Sequence, residues 1–84
     1  MIFLLEYNRP KGKLVSFTTF EDSEGGRAKI LRLDLELELS RKGIDHEVVL
    51  LQAASEEALR RTHRRYFEDP RQIAMSAING MNSR

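Results

Sequence analysis

Four arginines, Arg60, Arg61, Arg64 and Arg65, fall within six consecutive residues of this 84-residue chain. On a helix that spacing places them on one face, opposite Leu59, Thr62, His63, Tyr66 and Phe67. Guanidinium forks at that density could contact phosphates, with Tyr66 available to stack on a base. The competing reading is a solvated face. Glu56 and Glu57 stand four residues before Arg60 and Arg61, the favourable order for ion pairs along a helix, and cations near a helix C-terminus complement its dipole. A formal net charge of +1 gives the chain no bulk attraction for nucleic acid or an anionic membrane. The solvated face is therefore preferred, and nucleic acid is the runner-up partner.

His63 and Tyr66 form a second candidate polar site. A histidine in the middle of an apolar helix face can act as a general base or a pH switch. A core histidine bonded to a backbone carbonyl is commoner, and no nucleophile stands at a recognisable spacing from either histidine. Asp45, His46 and Glu47 have metal-ligating side chains. Neighbours on a strand point to opposite faces, however, so these three cannot converge on one ion, and no His-Glu-x-x-His pattern is present. Gly25 and Gly26 precede a helical stretch, but Glu21, Asp22 and Glu24 beside them would repel a phosphate, and the spacing matches neither a Walker loop nor a dinucleotide fingerprint. With no cysteine, the chain has no disulfide, thiol nucleophile or thiolate metal site, which fits a reducing cytosol. The sequence thus assigns no catalytic residue, no cofactor and no metal.

The elements that would position these residues turn on the stretch Leu31 to Leu39, in which leucine alternates strictly with charged residues. Period two is the template of a half-buried strand. Composition and flanks point the other way. Leu, Glu and Arg are good helix formers, and the stretch contains no β-branched or aromatic residue. Ser23 can cap a helix whose start carries Glu21, Asp22 and Glu24. Arg41 and Lys42 suit its last turn, Gly43 the left-handed stop, and Ile44 the apolar position after it. The expectation is a helix over 24–42 with two apolar stripes, Ile30, Leu33 and Leu37 on one and Leu31, Leu35 and Leu39 on the other. Two stripes suggest two packing partners, the chain's own sheet and a second subunit; alternatively one wide stripe wraps into a small core.

Ile2–Asn8 and Lys13–Phe20 read as strands joined by the turn Arg9-Pro10-Lys11-Gly12, with Asn8 opposite Lys13 and Leu4 opposite Phe17. His46 to Ala53, with Val48-Val49-Leu50-Leu51, reads as a strand buried on both faces. Ser55 caps a second helix running through Phe67. The fold class is therefore α+β, a two-layer ββαβα domain. A crossover through the long helix would put the third strand parallel to the first, giving a mixed three-stranded sheet of order 2-1-3. Two helices can readily cover one face of such a sheet, leaving the other for the segment after Asp69 or for a second copy.

Residues 1–69 are expected to form the single domain and 70–84 a short helix or partly ordered tail, carrying Ile73, Met75, Ile78 and Met81. The only apolar run near the N-terminus, Ile2 to Leu5, is too short for a secretory signal or a membrane span. The reading that results is a cytoplasmic, homodimeric interaction or accessory protein with no catalytic motif. Leu31, Leu35, Leu39, Val49 and Leu51 are its candidate dimer surface, and Arg60, Arg61, Arg64 and Arg65 a candidate surface for nucleic acid or another partner. An enzyme or small-ligand protein using His63 ranks third.

Overall fold

In a computed structural model, which describes residues 1–68, the chain forms β1 (Ile2–Asn8), β2 (Lys13–Phe20), α1 (Gly25–Lys42), β3 (Glu47–Gln52) and α2 (Glu56–Thr62). Short 3-10 turns, Asp22–Glu24 and Arg64–Tyr66, precede α1 and follow α2. The segment expected as a tail lies outside the described residues.

The hairpin closes as its turn chemistry requires. Gly12 takes a left-handed φ of 63° and donates its N–H to the Arg9 carbonyl at 3.2 Å, while the Asn8 side chain accepts from Lys11 N–H. Asn8 faces Lys13 and Tyr7 faces Leu14, but the register then slips, and Glu6 faces Ser16 and Leu5 faces Phe17. Phe17 is thus paired with Leu5 and not, as expected, with Leu4. The slip leaves Val15 unpaired, and this extra residue brings Leu14 and Phe17, three apart, to the same sheet face, which strict alternation forbids.

The sheet has the expected order β2-β1-β3, but every ladder in it is antiparallel. The expectation that β3 runs parallel to β1 is corrected, and with it the mixed sheet. β2 ends with Phe20 opposite Ile2; α1 carries the chain to the far end, where β3 begins with Glu47 opposite Tyr7. A crossover relates the strand before the helix to the strand after it. It therefore aligns β3 with β2, and β1, lying between them, opposes both.

The Leu31 to Leu39 alternation is helical. Gly43 stops α1 at φ 67°, donating to Ser40 O at 3.1 Å, and Ile44 N–H reaches Leu39 O at 2.9 Å, the paired bonds of a Schellman stop. At the other end Ser23 is not the cap. It lies inside the 3-10 turn, and the Glu24 carboxylate accepts the Glu21 N–H instead, at 3.0 Å. That backbone donor, and then Arg27, hold the Glu24 carboxyl below the usual range. Ser55 does cap α2, accepting from Ala58 N–H at 3.1 Å.

The two helices lie on opposite faces of the sheet. Ala28 of α1 packs with Leu4 and Phe20, flanked by Ile2, Val48 and Leu50. On the other face Leu59 of α2 and Tyr66 pack with Phe3, Leu5 and Tyr7, flanked by residues that include Phe17, Val49 and Leu51. β1, in the middle, is buried on both sides, as its unbroken apolar run requires. The sheet is thus sandwiched in three layers, and the expected two-layer arrangement with an open face is corrected. α1 already lies over β1 and β3 on its face, so α2, which follows β3 after the short connection 53–55, takes the opposite one.

Candidate functional site

α2 ends at Thr62 and not at Phe67. The Thr62 hydroxyl donates back to Ala58 O at 3.0 Å, His63 leaves the helical region at φ −124° and ψ 51°, and Arg64–Tyr66 form a separate 3-10 turn. The four arginines consequently do not share one helical face. Each has a carboxylate beside it: Arg60 with Glu56 at 3.5 Å, Arg61 with Glu57 at 3.8 Å, Arg64 with Glu68 at 3.0 Å and Arg65 with Glu47 at 2.8 Å. With Arg9, which shares Glu47 at 3.3 Å, five guanidiniums stand against four carboxylates, a local excess of one positive charge. Arg60 also lies over the Phe67 ring, 4.4 Å from its centroid.

Arg65 and Tyr66 join a larger network with Glu47. The Tyr66 hydroxyl donates to Glu47 Oε2 at 2.6 Å, and Arg9 stands 3.3 Å from the other carboxylate oxygen. The Arg65 guanidinium covers the Tyr66 ring at 4.2 Å, and Tyr7 meets Tyr66 edge to face at 5.2 Å. The Tyr66 hydrogen bond, followed by the charges of Arg65 and Arg9, holds the Glu47 carboxyl below the usual carboxylate range, against burial. Burial, and then the Glu47 charge, push the Tyr66 hydroxyl above the usual tyrosine value. Every member is committed to another, so the network reads as a clasp joining the turn after α2 to the sheet.

His63 is not at the centre of an apolar face. It caps α2, half-buried, with Nδ1 2.9 Å from the Thr62 hydroxyl and its ring stacked 6.4 Å from that of Tyr66. The more enclosed histidine is His46, whose Nδ1 lies 2.6 Å from Glu6 Oε2. Glu6, 8% exposed, is the one buried charged side chain among the described residues, and it was not singled out from the sequence. His46 and Glu47 do diverge as adjacent strand residues should, His46 to Glu6 and Glu47 to Tyr66. His46 lines a groove of about 290 Å³ between the end of α1 and the start of β3, with Arg9, Glu36, Ser40 and Ile44. Among the described residues no group of three histidines or carboxylates is placed to hold a metal ion.

The two stripes of α1 have opposite fates. Ala28 and Leu39 are buried and Leu35 is half-buried on the sheet-facing side, with Leu31 at the margin. Ile30, Leu33 and Leu37 face away from the sheet and remain 62%, 53% and 58% exposed. The five residues of the candidate dimer surface are not brought together: Leu35 and Leu39 belong to the α1 side, Val49 and Leu51 to the α2 side. No described helix is long and apolar enough to cross a membrane. The chain matches no protein-family model, no curated protein and no solved structure.

Proposed function

We propose that this protein is a self-associating interaction protein whose contact surface is the outer face of α1. The observation that carries this is the row Ile30, Leu33 and Leu37, three large aliphatic side chains each more than half exposed on one helical face. A helix needs one apolar side to lie on its own sheet, and α1 supplies that with Ala28, Leu35 and Leu39. A second apolar side, directly opposite, is left uncovered by the described residues and costs solubility. Burying the exposed half of these three side chains contributes on the order of 3–5 kcal/mol before the entropy of association is counted.

The arginines give less support to the nucleic-acid reading, because each is matched by a carboxylate. A nucleic-acid site of this kind would need those ion pairs to open.

Light scattering on the full chain over a dilution series tests the proposal. A mass of two chains at protein concentrations of about 100 µM, returning to one chain with Leu33→Glu, is the expected result. A single-chain mass throughout the series overturns it.

A further inference from the structure

We infer that the partner on the outer face of α1 is the same helix of a second copy, lying parallel to it and held in register by Lys29 to Asp34 and Glu36 to Arg41 across the twofold axis. This rests on the self-association proposed above and adds the direction and register of the contact.

The exposed row has coiled-coil spacing. Gly26, Ile30, Leu33, Leu37 and Ser40 follow one another at intervals of four, three, four and three, the a and d positions of a heptad, with Ile30 and Leu37 at a and Leu33 at d. Ala28 and Leu35 then fall at f, the position farthest from a coiled-coil seam, and these are residues on the sheet-facing side. The helix can therefore hold its sheet and a second helix at once. Ile30 at a with Leu33 at d, in the first of the two heptads, is the combination that favours a two-stranded pair.

The flanking charges and the apolar layers together choose the direction. Lys29 and Glu36 occupy g; Asp34 and Arg41 occupy e. In a parallel pair each g residue faces the e residue five positions later on the other helix, so Lys29 meets Asp34 and Glu36 meets Arg41. Both contacts join opposite charges, and the twofold axis doubles them to four. In an antiparallel pair with Leu33 against Leu37, e faces e and g faces g. Asp34 would then crowd its own counterpart and Glu36 its own. Sliding the antiparallel pair to set Ile30 against Leu33 restores opposite charges, Lys29 to Glu36 and Asp34 to Arg27, but places Leu37 opposite Gly26. Only the parallel pair joins matched aliphatic layers to matched charges.

Within the monomer these charges are lightly used. The ion pairs of α1 join Arg27 to Glu24, Arg32 to Glu36, and Arg41 and Lys42 to Glu38, so among the described residues neither Lys29 nor Asp34 has a partner. The pairs that engage Glu36 and Arg41 are long, at 3.7 and 3.9 Å, and exposed. They can be exchanged for contacts across the seam at little loss.

Gly26→Cys in the full chain tests the direction. A Cβ at Gly26 meets nothing within 4 Å, and the chain has no other cysteine. In the parallel pair the two thiols face each other at the first d position and mild oxidation gives a disulfide-linked dimer. In either antiparallel pair they stand at least about 16 Å apart and no such link forms. Charge exchange supplies a readout independent of cysteine: Asp34→Lys weakens the dimer about tenfold, and adding Lys29→Glu restores it. The expected result is a cross-linked dimer together with that rescue. A two-chain mass without cross-linking, or without rescue, overturns the parallel register and leaves self-association standing. A single-chain mass in the unmodified protein overturns both.

Discussion

Two carboxylates show how differently a charged residue can be written into this chain. Glu6 interrupts Ile2-Phe3-Leu4-Leu5 on a strand buried on both faces. A carboxylate in such a strand needs a donor, and that demand is legible in the sequence. The identity of the donor is not, because His46 comes from forty residues away. Glu47 stands at the start of β3 and looks like a solvated strand end, yet it receives the Tyr66 hydroxyl and the guanidiniums of Arg65 and Arg9. Its folded-state carboxyl titrates below its unfolded value, so its contribution to stability is present above the ordinary carboxylate range and is lost as pH falls through the folded value. Tyr66→Phe removes the largest cause of that shift. It should cost about 1.5–3 kcal/mol in urea unfolding at pH 7, and less in acid where Glu47 is protonated. A penalty equal at pH 7 and in acid would mean that the lost hydroxyl acts independently of the Glu47 charge.

At the scale of elements, flanks decided what periodicity left open. The leucine alternation in α1 fits a strand, but good helix formers between an acidic start and a Lys-Gly-Ile stop fold as a helix, because capping satisfies the terminal backbone groups. Gly43 sits at φ 67°, where a Cβ is strained although open space surrounds it. Gly43→Ala should therefore lower stability by about 1 kcal/mol in chemical denaturation, through backbone strain alone. An unchanged midpoint would show that the stop is set by Ile44 and not by the glycine. Where α2 ends was less legible. Arginine, threonine and histidine do not forbid a helix, and only the Thr62 hydroxyl bonding back to Ala58 and Leu59 together with the docking of Tyr66 on the sheet favour a break at His63. The bulge at Val15 was not legible, because Val15 and Phe17 alternate as regularly as a strand face should, and only the pairing with β1 leaves Val15 out and seats Leu14 beside Phe17.

Residues 1–68 form a sheet with a helix layer on each side, and among them the outer face of α1 carries the three most exposed large aliphatic side chains, Ile30, Leu37 and Leu33. A self-associating chain links folding to concentration. Its melting temperature should rise with protein concentration, and Leu33→Glu should remove that dependence while changing the monomer's own stability by no more than about 0.5 kcal/mol, because Leu33 is 53% exposed on the face of α1 that points away from the sheet. A melting temperature independent of concentration in the unmodified protein would count against the proposed function. A large loss of monomer stability in the variant would mean instead that the chain itself covers this face.

The sequence by itself determined the strands, the hairpin turn, the start of α2, the stop of α1 and the presence of two apolar stripes on one helix, because each of these rests on local propensity, capping or periodicity. Tertiary structure alone decided which stripe of α1 lies on the sheet, that β3 opposes β1, that α2 takes the opposite face from α1, and that Arg65 pairs with Glu47. Those outcomes depend on how far a linker reaches and on which distant residues share a face, and neither is contained in the spacing of residues along the chain.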